Sequence, residues 1–189
     1  MRVLGIAGSP RHGGNTDKLL AEVMRGAASR GAEIKTLRIC QMDIAPCRHC
    51  DDCSEAGDCS IDDDMQTVYK ELASADRIVL ASPLYFMGLT AQLKAMIDRC
   101  QALWVKKYVL KMPPLGDRRQ RKGLFVSTGG RRGEGIFQPA TATVKAFFTS
   151  LDIEYAGELL FAGMDDKEAA ADSPDTLKQA YLAGQKLAG

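Results

Sequence analysis

A parallel β-sheet with helices on both faces, an α/β fold, is what the sequence predicts, and three observations predict it. Five short apolar or alternating runs that read as strands alternate with five segments that read as helices. The glycine-rich and aromatic loops all follow the C-terminal ends of strands, where open α/β sheets bind ligands. The 189 residues fit one domain spanning 1–189, at roughly 150 residues per domain.

The first strand is Arg2–Gly8, a short apolar run ending in glycine. The loop Ser9–Gly14 follows. A helix then spans Asn15–Gly31, with Leu19, Leu20, Val23, Met24 and Ala27 at helical spacing, capped by Asn15 or Thr16 and ended by Gly31. Glu33–Ile39 alternates and reads as the second strand. A cysteine-rich loop at 40–62 has no clean periodicity. A helix starts near Asp63, with Gln66 in capping-box position and a stripe of Met65, Val68, Tyr69 and Leu72. Arg77–Ser82 is the third strand, followed by the loop Pro83–Gly88. The next helix, Thr90–Ala102, carries Leu93, Met96, Ile97, Cys100 and Leu103. Trp104–Lys122 reads as irregular and basic. Gly123–Thr128 is the fourth strand, and a helix entered near Pro139 presents Val144, Phe147, Phe148 and Leu151. Ile153–Phe161 is the fifth strand. Ser173-Pro174 opens the last helix.

Composition excludes several classes. Lys and Arg number 25 against 24 acids, a net charge of +1, so global charge offers no case for nucleic-acid or anionic-membrane binding. The longest uncharged stretch, Ile78–Leu93, is interrupted by Pro83 and Gly88 and falls short of the ~20 apolar residues of a membrane helix. Val3–Gly8 is too short for a secretory core of about 7–15 residues. The expected location is the cytoplasm, where clustered thiols point to metal or redox chemistry before structural disulfides.

Gly8-Ser9-Pro10-Arg11-His12-Gly13-Gly14-Asn15-Thr16 joins the first strand to its helix. Backbone N–H groups at such a junction hold anions. Ser9, Asn15 and Thr16 add side-chain donors, and Arg11 adds charge. Gly14-Asn15 stands where a nucleoside-triphosphate loop has Lys-Ser/Thr, and G-x-G-x-x-G is absent, so the loop suits a single phosphate.

This loop resembles the FMN-phosphate loop of flavodoxin-fold NAD(P)H-dependent FMN reductases. Ala81-Ser-Pro-Leu-Tyr-Phe-Met-Gly88-x5-Lys94-x3-Asp98-Arg99 resembles the same family's second flavin loop and following helix. The resemblance covers nearly the whole chain. It implies a flavodoxin-like three-layer sandwich with strand order 2-1-3-4-5, and bound FMN. It also implies that Pro83, Leu84, Tyr85, Phe86, Met87 and Gly88 flank the isoalloxazine ring. The residues agree, because a flavin needs an apolar or aromatic wall and backbone donors. The family's third contact falls on Thr128, Gly129 and Gly130.

Cys47, Cys50, Cys53 and Cys59 form C-x2-C-x2-C-x5-C. Four thiolates so close can wrap one compact metal centre. Zinc usually takes two separated C-x2-C knuckles, so it fits less well; thiols or a labile disulfide are a further alternative. The motif resembles the cluster motif of the family's iron–sulfur flavoprotein branch, which implies a 4Fe-4S centre near FMN. Asp51, Asp52, Glu55, Asp58, Asp62, Asp63 and Asp64 surround it and should lower its potential. Cys100 reads as core, Cys40 as structural, and His49 as an exposed loop residue.

Lys106 to Arg132 holds nine basic residues and one acid, Asp117. A solvated face, contact with another subunit's acidic loop, or recognition of the NADPH 2′-phosphate would each account for it. The resemblance implies a homodimer or homotetramer exchanging electrons with NAD(P)H, a quinone, free flavin or a ferredoxin-like protein. Three functions stand at this point: an FMN oxidoreductase with an adjacent cluster, an NAD(P)H-dependent FMN or quinone reductase without one, and a non-catalytic FMN-binding or zinc-stabilised module.

Overall fold

A computed structural model describes residues 1–189. Its strands are β1 (Arg2–Ala7), β2 (Glu33–Arg38), β3 (Arg77–Pro83), β4 (Arg121–Gly129) and β5 (Ile153–Ala162). They form one sheet in the order β2-β1-β3-β4-β5, every pair parallel. The helices are α1 (Asn15–Ala28), α2 (Cys53–Ala56), α3 (Met65–Ser74), α4 (Ala91–Arg99), α5 (Gln101–Tyr108), α6 (Gln138–Ser150) and α7 (Pro174–Ala188).

Strand alternation divides the core between the two faces of the sheet. Leu4, Ile6, Ile78, Leu80 and Phe125 point to one face and meet Met65, Leu72, Leu93, Met96 and Phe148 from α3, α4 and α6. Val3, Val79, Ala81 and Val126 point to the other and meet Leu19, Leu20, Val23 and Ala180 from α1 and α7. The two helices of this second face touch backbone to backbone. A Cβ on Gly184 would lie 1.9 Å from the Val23 carbonyl oxygen, and one on Gly26 would lie 2.0 Å from that of Tyr181.

Four local expectations are corrected. The predicted helix Thr90–Ala102 is two helices meeting at Cys100, and α5 occupies the start of the stretch read as irregular. Strand β4 begins at Arg121, not Gly123. Helix α1 ends at Ala28, and its N-cap is Gly14, without a side-chain cap from Asn15 or Thr16. Gln66 makes no capping box; its amide donates to the carbonyls of Cys59 and Ile61, 3.3 and 3.0 Å away.

Candidate functional site

The sheet order reverses between β1 and β3, and the loops beyond their C-terminal ends frame a cleft of about 170 Å³. Ser9, Arg11, Gly14, Asn15 and Thr16 line it from the first loop, Pro83, Leu84 and Tyr85 from the second, and Thr128 and Gly130 from the third. An adjoining cavity of about 360 Å³ is lined by Leu84, Phe86, Met87, Gly129, Gly130, Arg131 and Ile136. The two share Leu84 and Gly130, so three segments remote in sequence meet in one place. A larger cavity of about 420 Å³ lies between α6 and β5, contains none of the predicted residues, and has its carboxylate, Glu158, engaged by Thr141 and Tyr155.

Buried polar contacts fix the cleft. Thr90 donates to the Gly8 carbonyl at 2.7 Å, and Ser127 donates to that of Ser82 at 2.8 Å. The Thr16 and Thr128 hydroxyls pair at 2.7 Å. Asp17 accepts from the Gly13 N–H at 3.0 Å and from Arg38 at 2.6 Å. With no side-chain cap at Gly14, the first N–H groups of α1 lack intrahelical partners and carry the helix's partial positive charge. Arg11, which makes no ion pair within the chain, stands at the same end.

Two predicted donors have partners within the chain: the Ser9 hydroxyl donates to the Arg11 carbonyl at 3.2 Å inside its own loop, and Asn15 is committed farther away. The Asn15 amide nitrogen donates to the carbonyls of Met164 and Asp166, at 3.2 and 2.6 Å, and its oxygen accepts from the Ala170 N–H at 3.0 Å. Both amide protons are spent holding the segment after β5 against α1. This segment adds Met164 and Asp165 to the cleft, two residues missed by sequence reading. Their signal was their place just beyond the C-terminal end of β5. Asp165 packs on Gly130 so tightly that a Cβ there would lie 1.8 Å from its Oδ1.

Tyr85-Phe86-Met87-Gly88 is a tight two-residue turn. Tyr85 and Gly88 exchange backbone hydrogen bonds of 3.0 and 2.9 Å. Phe86 and Met87 both have positive φ, +51° and +63°, the signature of a type I′ turn. Non-glycine residues there cost of order 1–3 kcal/mol each and cluster at ligand sites. The turn holds Phe86 fully in solvent and leaves Tyr85 and Met87 exposed.

The four motif cysteines also meet, lining one cavity of about 70 Å³ between the 47–61 loop and α5. All are free thiols, Cys47 and Cys50 exposed, Cys53 and Cys59 half-buried. Burial, and then the neighbouring thiols Cys59, Cys47 and Cys50, push the Cys53 thiol above its ordinary range against a lowering backbone hydrogen bond. No group of three or more His, Cys, Asp or Glu is drawn together tightly enough for a single ion. His49 is exposed, and Cys100 is buried, as expected; Cys40 turns away to the Gly8 carbonyl, 3.5 Å distant.

At the base of this loop Arg99, 1% exposed, pairs with Asp63. Its NH1 reaches Asp63 Oδ2 at 2.6 Å and the Ala45 carbonyl at 2.8 Å. Its NH2 reaches Asp63 Oδ1 and the Ile61 carbonyl, each at 3.2 Å. Asp63 also accepts from the N–H groups of Ala45 and Met65. Burial alone would lower the Arg99 pKa, but hydrogen bonding to Asp63 and attraction to Cys59 raise it, so the guanidinium stays charged. The loop's acids are therefore partly neutralised from within the chain, since Asp58 also pairs with Lys106 at 2.8 Å.

The basic segment is not uniformly solvated. Arg121 is 2% exposed and donates to the carbonyls of Ala75 and Ala73 and to Asp117. Arg119 pairs with Asp117 and Asp76, and Lys107 with Asp152.

Among solved structures, the NAD(P)H:quinone oxidoreductase from Methanothermobacter marburgensis superposes with a TM-score of 0.76. The match covers 100% of this chain and 96% of that one at 17% identity. A flavodoxin from the domain Archaea gives 0.60 at 13% identity, covering 100% of this chain. These establish a flavodoxin-like fold. The chain belongs to the NADPH-dependent FMN reductase family, whose model matches residues 1–158. Within it, iron-sulfur flavoproteins from Methanosarcina thermophila (38% identical over 135 residues, 71% of this chain) and Methanocaldococcus jannaschii (34% over 149 residues, 78% of this chain and 71% of that protein) are similar along most of the sequence. The match spans 66% of the Methanosarcina protein's length, and 53% and 63% of two further iron-sulfur flavoproteins.

Proposed function

We propose that this chain is an FMN-dependent oxidoreductase with a 4Fe-4S cluster beside its flavin. The meeting of three flavin-loop segments at one cleft carries this reading. The fit is chemical: an uncapped helix N-terminus with Arg11 and Ser9 suits a phosphate, and exposed Tyr85, Phe86 and Met87 suit the face of an isoalloxazine ring. Bound FMN exchanges electrons in pairs or singly, and a 4Fe-4S cluster exchanges one. Ser9, Arg11, Gly14 and Thr16 hold the phosphate, with Asn15 contributing its backbone N–H. Pro83–Gly88 and Thr128–Gly130 would flank the ring, and Asp165, on the cleft wall, would face the flavin's polar side chain. Cys47, Cys50, Cys53 and Cys59 hold the cluster. The residues bind and orient; no side-chain acid or base is required.

The electron donor in this reading is NAD(P)H or a reduced ferredoxin-like carrier, and the acceptor a quinone or free flavin. The chain acts in the cytoplasm, and no helix in it is long and apolar enough to cross a membrane. Exposed Trp104, Tyr108, Val109 and Met112 at the end of α5 support a homodimer or homotetramer. Light scattering giving a monomer mass would remove that part.

Anaerobic purification followed by a visible spectrum and iron, sulfide and zinc analysis tests the core. Flavin with about four irons and four sulfides per chain is expected. Absence of flavin would overturn the whole reading, and flavin with zinc would replace the cluster. Flavin without metal would favour a cluster-free NAD(P)H-dependent reductase. The exposure of Cys47 and Cys50 is the observation that favours this second reading.

A further inference from the structure

A guanidinium offers five N–H donors. Arg99 spends four of them, on Asp63 twice, Ala45 and Ile61. The fifth, on Nε, has no partner although the atom is fully buried. Buried donors are rarely left so, and Arg99 forms part of the wall of the cysteine cavity. Asp63 is absent from that wall, so the cation of the pair is the nearer charge. Its carboxylate is also saturated, accepting four hydrogen bonds.

We infer that Arg99 is a positioning and potential-setting residue for the cluster, its charge and free Nε–H offered to the cluster from the wall of the cavity. The inference rests on the proposed cluster. Reduction adds one electron to that centre, with no bond made or broken, and makes it more negative by one charge. A fixed cation and a hydrogen-bond donor at its sulfurs favour the reduced form. Arg99 therefore opposes the acidic surroundings of the loop and holds the potential above what Asp51, Asp52 and Glu55 would impose. The same side chain ties Ala45 to Ile61, so the clasp that closes the loop also sets its electrostatics.

The test compares wild type, Arg99→Gln and Asp63→Asn, purified without oxygen, by iron content and by dithionite titration followed by EPR. Arg99→Gln removes the cation and should lower the reduction equilibrium constant about tenfold, or 59 mV for one electron. Asp63→Asn leaves the cation without its counter-charge and should raise the potential. Opposite signs from the two halves of one ion pair support the inference, whereas a merely structural clasp would move both variants the same way. Where Arg99→Gln fails to hold iron, Asp63→Asn decides alone: a rise supports the assignment, and no change or a fall overturns it. Wild-type protein that holds flavin and no iron overturns the cluster itself, a result distinct from a loaded cluster indifferent to Arg99.

Discussion

Asn15 separates two roles that one residue type can play at a phosphate loop. A free amide would bind the ligand, whereas the bonds seen here bind the protein to itself across 149 to 155 residues of sequence. Asn15→Ala removes all three. At a net ~0.5–1.5 kcal/mol each, the loss is about 3 kcal/mol. For a chain of this size each kcal/mol shifts the melting temperature by about 2–4 °C, so the flavin-free protein should melt about 6–12 °C lower. Circular dichroism melts of flavin-stripped protein measure this, and quenching of FMN fluorescence gives the affinity separately. Affinity also falls, because Met164 and Asp165 lose their anchor. Asn15→Asp, equal in size, keeps an acceptor for Ala170 but faces a carboxylate at two carbonyls, and should be no more stable than the alanine variant. An unchanged melt in flavin-free Asn15→Ala, together with weakened FMN binding, would refute the tie and restore the amide as a phosphate donor.

Cys50→Ser should lose its iron while keeping flavin, and Cys40→Ser, whose sulfur faces Gly8, should keep both; full iron in Cys50→Ser would dissolve the cluster assignment. Gly184→Ala forces α1 and α7 apart at a 1.9 Å approach and should cost about 3 kcal/mol in urea denaturation. Phe86→Gly should leave the flavin-free melt within a few degrees, since relief of about 1–2 kcal/mol of left-handed strain offsets ~0.5–1 kcal/mol of chain entropy, yet it should weaken FMN binding. Hydrogen bonding to Arg119, followed by that to Arg121, outweighs the small cost of burial and holds the Asp117 carboxyl down at about 2. Its folded pKa lies below its unfolded value near 3.9, so its contribution is present above that value and lost as pH falls toward about 2. The urea midpoint of wild type should drop more steeply than that of Asp117→Asn between pH 5 and pH 2.

The fold was legible because each strand is a short apolar or alternating run bounded by loop residues. Leu4 and Ile6 against Val3 and Ala7 read as two buried faces, and the helices repeat their stripes where they cover those faces. Helix α5 was illegible for the complementary reason. Only Ala102, Leu103 and Val105 of it are buried, while the Trp104 and Tyr108 rings meet at a tilt, 5.1 Å apart, near solvent and Lys106 and Lys107 reach for Asp58 and Asp152. A helix buried along so narrow a strip leaves little periodic signal. Arg121 was read with the basic surface, although Asp117, four residues before it, was the available sign of a pair. At the site, local motifs were legible and their long-range commitments were not. Asn15 and Gln66 both stand in helix-start positions where capping is the local expectation. Each instead serves a loop, Asn15 the segment after β5 and Gln66 the cysteine loop.

These commitments make α4 the element that relates the two sites. Its N-cap Thr90 receives the Leu93 N–H and also donates to the Gly8 carbonyl, so the start of the helix holds the loop after β1. Its last residue, Arg99, holds both ends of the cysteine loop through Ala45 and Ile61. Nine residues at 1.5 Å each separate Thr90 from Arg99, about 14 Å along the axis. Leu93 and Met96 between them are fully buried, and Cys100 beyond is buried as well, so the helix cannot shift without opening the core. A rigid rod clamped at both ends sets the distance between the proposed flavin cleft and the cysteine cavity by packing, independently of either loop. The stretch Leu93-Lys94-x3-Asp98-Arg99 thus acquires a physical reason for its residues. Apolar positions seat the rod, the exposed Lys94–Asp98 pair at 2.7 Å supports its outer face, and arginine at the end grips a loop whose carbonyls need a planar, multi-armed donor.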